Sequence, residues 1–145
     1  MFKHEDLPGL RKLSQIRAQA TATGRRRVSI LVGNGGLFLP LELFRGADGA
    51  MTGFAYPEML VKVCLLFAQG PPEAAEDLFD AYLPLLRHEF QYGIGLALRK
   101  ETLRLRGAIR SAAVRKPGPA LDATDHAELR RLIGRVQNRV LSLAV

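Results

Sequence analysis

The chain has 145 residues, 48% of them hydrophobic, with a mean hydropathy of +0.03, which is enough for one packed core and too little apolar sequence for a membrane protein. Its single cysteine, Cys64, excludes an intramolecular disulfide framework, and Lys3, His4, Glu5 and Asp6 stand where a secretory leader needs an apolar stretch. No run approaches the ~18 apolar residues of a membrane span, so the expectation is a cytoplasmic globular protein. The net charge of +7 invites a nucleic-acid reading, but it is unevenly placed: residues 1–98 hold 10 basic and 10 acidic side chains, residues 99–145 hold 11 and 4. Arg99, Lys100, Arg104, Arg106 and Arg110 spread over several faces of a helical pattern without interleaved aromatics. They read as a solvated helical surface, which leaves a basic nucleic-acid-binding module as a distant alternative and no nucleic-acid partner expected.

Met1–Lys3 is a stub of strand, and Asp6-Leu7-Pro8 then offers a helix start with a polar cap and a proline near the first turn. Leu10, Leu13, Ile16 and Ala20 form one apolar stripe, which predicts a helix to about Ala22, stopped by Gly24. Val28–Val32 is a short β-branched-rich run of the kind that makes a buried strand, and Gly33–Gly36 is a loop. Leu37–Arg45 is short and periodic, Gly46 ends it, and a small-residue strand is expected over Ala50–Gly53. Strand, helix, strand, helix, strand within about fifty residues is the rhythm of parallel β/α units.

Pro57 opens the next helix, whose Leu60, Val63, Cys64 and Phe67 share a face, and Gly70-Pro71-Pro72 closes it. From Glu73 the pattern is helical throughout. Leu78, Phe79, Tyr82, Leu85 and Leu86 mark one helix in which Pro84 removes a backbone donor and predicts a kink. A second helix is expected over Ile94–Val114, the Lys116-Pro117-Gly118-Pro119 linker interrupts, and Asp125 with Glu128 predicts a capping box for a last helix through Leu129, Leu132, Val136 and Val140. The chain therefore divides into β/α units over residues 1–70 and a helical extension over residues 71–145.

Cofactor signals fail on inspection. Gly33-Asn34-Gly35 is followed by Phe38 where a dinucleotide fingerprint needs glycine, and no Gly-Lys-Ser/Thr follows. His4, His88 and His126 are scattered without ligand spacing, and adjacent His4-Glu5-Asp6 cannot all aim at one ion from a regular element. No metal and no cofactor is expected.

Three blocks carry a resemblance: the opening Lys3-His4-Glu5-Asp6, the stretch Gly46–Glu58 that reads GADGAMTGFAYPE, and Gly95–Glu101. Together they resemble the closing portion of a protein of the dihydrodipicolinate synthase/N-acetylneuraminate lyase family, from Phe2 to about Arg135. The resemblance covers nearly all of this chain and about half of a family member. It implies the last three β/α units of a (β/α)₈ barrel, an α/β fold whose complete form needs about 250 residues, followed by a helical C-terminal extension.

The resemblance also implies chemistry. The family are class I aldolases, in which a lysine ending the sixth strand forms a Schiff base with a keto acid, and Lys3 matches it. Gly33 matches a glycine ending the seventh strand, and Thr52 and Gly53 lie where the eighth ends, so these three are the expected substrate-binding residues. Gly33–Gly36 reads equally well as a strand-to-helix turn with no ligand. The implied substrate class is pyruvate or a 2-keto-3-deoxy sugar acid, and the implied activity is that of a lyase, synthase or dehydratase. An amine attacks a ketone only when unprotonated, so such a lysine needs its pKa lowered from about 10.4 by burial or a nearby cation.

The family's proton-relay tyrosine and carboxylate-binding loop come from the first five strands, which have no counterpart here. The chain is thus expected to be truncated and inactive alone, or a non-catalytic subunit completed by another chain. The face formed by Phe2, Ile30, Val32 and Met51 is expected to drive self-association.

Overall fold

Parallel strands can be joined only by crossovers that return along one face of the sheet, and each of the three short strands is followed by a helix. The structure, a computed structural model, describes residues 1–7 and 9–143. Strand β1 (Phe2–His4) leads to α1 (Leu10–Ala22), β2 (Ile30–Val32) through a 3₁₀ turn at Asn34–Gly36 to α2 (Leu39–Phe44), and β3 (Gly49–Ala50) to α3 (Pro57–Gln69). Helices α4 (Pro72–Glu89), α5 (Gly95–Leu105) and α6 (Ala123–Ser142) complete the chain. Pro8, expected near the first turn of α1, lies outside the described residues.

The sheet is parallel in the order β1-β2-β3, with Phe2, Lys3 and His4 opposite Ile30, Leu31 and Val32, and Leu31 and Val32 opposite Gly49 and Ala50. A small parallel sheet in a mostly helical chain is what part of a (β/α)₈ barrel with C-terminal helices requires. The strands are shorter than, or shifted from, their expected spans, for a reason set by the neighbours. Val28 is exposed and outside β2, because pairing to β1 begins only where Phe2 N–H meets Ser29 O and pairing to β3 where Asp48 N–H meets Ile30 O. Beyond Met51, whose N–H reaches Val32 O, β2 has no further partner to offer, so Thr52 and Gly53 leave the sheet.

Side chains alternate across a strand, and the register sorts them. His4, Ile30 and Val32 are buried on one face, packed with Leu13 of α1 and Leu39 and Leu43 of α2, so the first two crossovers lie on the same side. Lys3, Leu31, Gly49 and Met51 have the other parity. The expected apolar face of Phe2, Ile30, Val32 and Met51 therefore does not exist as one surface: Ile30 and Val32 are fully buried beneath helices, and Met51 belongs to the open side.

Three helices end in the same way. In α1, α2 and α5 the chain reverses at Gly24, Gly46 and Gly107, with φ of 61°, 90° and 74°. The residue after each glycine donates five back, as Arg25 to Ala20, Ala47 to Glu42 and Ala108 to Leu103, and each glycine donates three back. This is the Schellman arrangement, which needs a left-handed residue that glycine adopts without strain. It corrects the expected helix Ile94–Val114, which stops at Leu105 because Gly107 turns the chain. The last helix also starts earlier than expected: Asp122 accepts from Asp125 N–H and Asp125 from Asp122 N–H, so the capping box is Asp122/Asp125 and not Asp125/Glu128. Pro84 sits inside α4, which continues through it as one element.

Helix α4 is the spine of the helical layer, burying Ala75, Leu78, Phe79, Leu85 and Leu86 against Met59 and Val63 of α3 and Leu129, Leu132 and Val136 of α6. At roughly 1.5–3 kcal/mol for each large apolar side chain buried, this layer outweighs any surface ion pair. On the sheet's flank Asp48 accepts from Ile30 N–H and pairs with Arg17 and Arg27. Burial pushes its carboxyl up, but these donors outweigh that and hold it below the usual range.

Glu42 of α2 is 4% exposed, and no hydrogen bond or ion pair reaches its carboxyl among the described residues. Burial raises its pKa from 4.5 to about 7. A folded-state value above the unfolded one means the native chain holds the proton more tightly, so stability falls as pH rises between 4.5 and about 7. Glu42→Gln is expected to be nearly neutral near pH 4.5 and stabilising above about pH 8, read from urea midpoints at the two pH values.

Candidate active site

The open face of the sheet carries the opening motif in alternation. His4 points into the core, 1% exposed, with Nε2 3.0 Å from Gly9 O, and so ties the turn after β1 to the strand. Lys3 and Glu5 point the other way. The Lys3 ammonium lies 3.2 Å from Glu5 Oε1, and the two side chains are 42% and 53% exposed. Lys3 stands opposite Leu31, which in turn is opposite Gly49, one residue before the carboxyl end of β1. Leu31 leans over Gly49, 3.5 Å from where a Cβ would be.

Gly33 follows β2 and continues the pairing, its N–H donating to His4 O at 2.8 Å. A Cβ on Gly33 would lie 2.3 Å from Glu5 Cγ and Oε1, so Glu5 bridges Lys3 and Gly33 in space. The 3₁₀ turn then folds Gly36 against Leu60 and Thr52. Half-buried Thr52 lines a cavity of about 350 Å³ with Leu31, Gly49, Pro57, Leu60 and Cys64 along the free edge of β3. Lys3, Gly33 and Thr52 thus sit near the same end of the sheet, on successive strands or just beyond them.

Gly53 belongs to a different contact. Its missing Cβ leaves room for Arg99 of α5, whose Nη1 would be 2.5 Å away from such an atom. Arg99 Nε donates to Glu89 Oε1 at 2.6 Å, and Glu89 Oε2 accepts from Ala55 N–H at 3.1 Å. Burial pushes the Glu89 carboxyl up in spite of these donors. Arg106 completes the clamp: it donates to Ala55 O, pairs with Glu58 and lies 4.0 Å over the ring of Tyr56. Tyr56 in turn packs with Phe54 and Tyr82 at centroid distances of 5.7 and 5.3 Å.

Arg104, Arg106 and Arg110 are exposed, as the reading of the basic third as a solvated surface expects, but several of these arginines also pair with carboxylates. Arg99, Arg104 and Arg106 are paired to Glu89, Glu101 and Glu58, and the first two of these carboxylates are buried. Glu101 also meets His126 Nδ1 of α6 at 3.3 Å. The side-chain hydrogen bond from Arg104, followed by the charges of Arg104 and His126, keeps the Glu101 carboxyl low against burial. Arg99 was present in the Gly95–Glu101 block, but charge counting gave no sign that it would reach Gly53. Among the described residues no group of three or more His, Cys, Asp or Glu side chains is placed to hold a metal ion, and no helix is long and apolar enough to cross a membrane.

The two glycines differ in what a methyl group would cost. At Gly33 the obstacle is the side chain of exposed Glu5 from Cγ outward, which can swing aside as a whole, whereas at Gly53 it is a guanidinium fixed by a buried carboxylate. Gly53→Ala is expected to destabilise the chain by about 1–3 kcal/mol and Gly33→Ala by less than about 1, measured by thermal or urea unfolding.

No protein-family model matches the chain. A crystal structure of dihydrodipicolinate synthase from Rhodopseudomonas palustris is 50% identical and superposes with a TM-score of 0.88 over 92% of this chain and 44% of that one. A 4-hydroxy-tetrahydrodipicolinate synthase from Methylacidiphilum fumariolicum, 20% identical, shares the fold with a TM-score of 0.76 over 97% of this chain and 46% of its own. In sequence, the L-2-keto-3-deoxyarabonate dehydratase of Azospirillum brasilense is 32% identical over 112 residues, 77% of this chain and 36% of that protein. The chain spans less than half the length of each of these proteins. It is therefore homologous, in sequence and structure, to part of the dihydrodipicolinate synthase/N-acetylneuraminate lyase fold.

Proposed function

We propose that this chain belongs to that family and supplies the closing β/α units, residues 1–70, and the helical extension, residues 71–145, of a Schiff-base-forming lyase, synthase or dehydratase. The observation that supports it most is the placement of Lys3 on the open face near the carboxyl ends of the strands, where (β/α)₈ enzymes assemble their sites. In this reading the neutral Lys3 amine adds to the ketone of pyruvate or a 2-keto-3-deoxy sugar acid. The resulting carbinolamine loses water, and the iminium accepts the electron pair released when a neighbouring bond breaks. Gly33 lets backbone approach the substrate, and Thr52 and Gly53 border it. No cofactor is required.

The described residues hold three strands, and a closed barrel needs eight. Lys3 is correspondingly half exposed, with the Glu5 carboxylate 3.2 Å away and no strand beyond these three to enclose it among the described residues. The chain alone is therefore read as inactive, and a second chain or segment bearing the first five strands as the component that makes Lys3 a nucleophile. The test is complementation. The purified chain is mixed with the unmatched portion of the 50%-identical relative and assayed with pyruvate, with borohydride trapping followed by peptide mapping. The expected result is no turnover from the chain alone, and a trapped adduct at Lys3 in the mixture that Lys3→Arg abolishes. An adduct at another lysine, or trapping that survives Lys3→Arg, overturns the assignment.

Association follows from the same incompleteness. The outer edges of β1 and β3 are unpaired, and Met51 and Leu31 lie on the uncovered face. The sedimentation coefficient is expected to rise with concentration across the micromolar range, and a constant monomer value would mean that this face needs no cover.

A further inference from the structure

A cavity of about 310 Å³ lies between α4 and α6. Helix α4 contributes Pro84, Arg87 and His88, with Gln91 just past its end, and α6 contributes Glu128, Arg131 and Leu132. Arg87 and Arg131 are exposed and have no hydrogen bond or ion pair among the described residues, whereas Arg99, Arg104 and Arg106 elsewhere on the helical layer are each held by a carboxylate. His88 adds a third donor. The Gln91 amide nitrogen donates to His88 O at 2.8 Å, which identifies it as the NH₂ end, and it lies 3.2 Å from His88 Nδ1. Nδ1 therefore accepts and Nε2 carries the ring proton. That Nε2 is enclosed and meets no acceptor among the described residues. We propose that this cavity binds a small organic monocarboxylate bearing a hydroxyl group, the carboxylate held by Arg87, Arg131 and His88 Nε2–H, and the hydroxyl donating to Glu128.

Shape and charge together select this class. A guanidinium is a flat fork of donors that matches the two oxygens of a carboxylate. Two guanidiniums set against Glu128 leave one positive charge in the cavity at neutral pH. A monocarboxylate cancels that charge, a phosphate dianion overshoots it, and a zwitterionic amino acid leaves it in place. Glu128 repels a carboxylate placed beside it, so an acid whose hydroxyl donates to Glu128 is favoured over a bare alkyl acid. Pro84 and buried Leu132 are left to meet the carbon skeleton. The carbonyl end of α4 opposes an anion here, and Arg87 in its last turn offsets that field. Nε2 is reached once the rim yields, which exposed arginine side chains permit by changing rotamer.

The experiment titrates the ¹⁵N-labelled chain with sodium lactate, and in parallel with propionate and inorganic phosphate, at neutral pH and constant ionic strength. Lactate has no ketone for Lys3 to attack, so the outcome is independent of Schiff-base formation. Expected are saturable shifts centred on Arg87, His88, Gln91 and Arg131, with propionate and phosphate clearly weaker than lactate. Arg87→Gln and Arg131→Gln are each expected to weaken lactate binding about tenfold, and Arg139→Gln, exposed on the same helix outside the cavity, to leave it unchanged. The comparison of the three acids uses the native chain, so it decides the matter even where a variant misfolds. Propionate or phosphate binding as tightly as lactate, an equal loss with Arg139→Gln, or shifts centred on Lys3 and Gly33 each overturns the proposal.

Discussion

Adjacent residues of a strand must face opposite ways, and every part of this structure takes its place from that rule applied to three short strands. The crossovers α1 and α2 cover the side that carries His4, Ile30 and Val32, and the side that carries Lys3, Leu31 and Gly49 is left bare. A chain that buries the histidine of Lys3-His4-Glu5 has no choice but to present the lysine and the glutamate together. The motif's chemistry and its packing are therefore one requirement, because the residue that anchors the turn after β1 also orients its neighbours away from the core.

The helical extension is joined to the strands through a buried electrostatic contact and an aromatic one. Glu89, Arg99 and Arg106 reach across to the backbone of Ala55 and to Tyr56, just past the end of β3, and Gly53 is the close-approach point that admits Arg99. Breaking one partner of such a pair leaves the other buried and uncompensated, which typically costs more than the pair itself is worth. The contact fixes the exit of β3 and thereby the residues that border the open face. The helices α4 and α5 thus act on the strand ends at a distance in sequence of more than thirty residues.

Much of this was legible in the sequence, and the failures are instructive. Gly24 and Gly46 announced their helix ends because polar or strand-like sequence follows each. Gly107 has the same geometry, but it lies within a run of helix-forming residues, and its left-handed turn was read as interior glycine. The capping box was misplaced because Asp122, Asp125 and Glu128 form two overlapping pairs of equal spacing, and only the position of the first helical turn separates them. The mixed face of Phe2, Ile30, Val32 and Met51 came from grouping apolar residues by type, when the register assigns Met51 to the side of Lys3, opposite Phe2, Ile30 and Val32. The parity of β1 was readable; the partners of Arg99 and Arg106, which depend on how α5 lies against β3, were not.

The aromatic cluster also decides what light can report about the molecule. The chain has three tyrosines and no tryptophan. Tyr92 is fully exposed, whereas Tyr56 and Tyr82 are packed edge to face beside Phe54, with the Arg106 guanidinium over the first. Near-ultraviolet dichroism, which requires a fixed asymmetric surrounding, therefore arises chiefly from the two tyrosines at the junction of α3, α4 and the segment after α5. An optical signal from this protein is in effect a gauge of whether its helices still grip the end of its sheet.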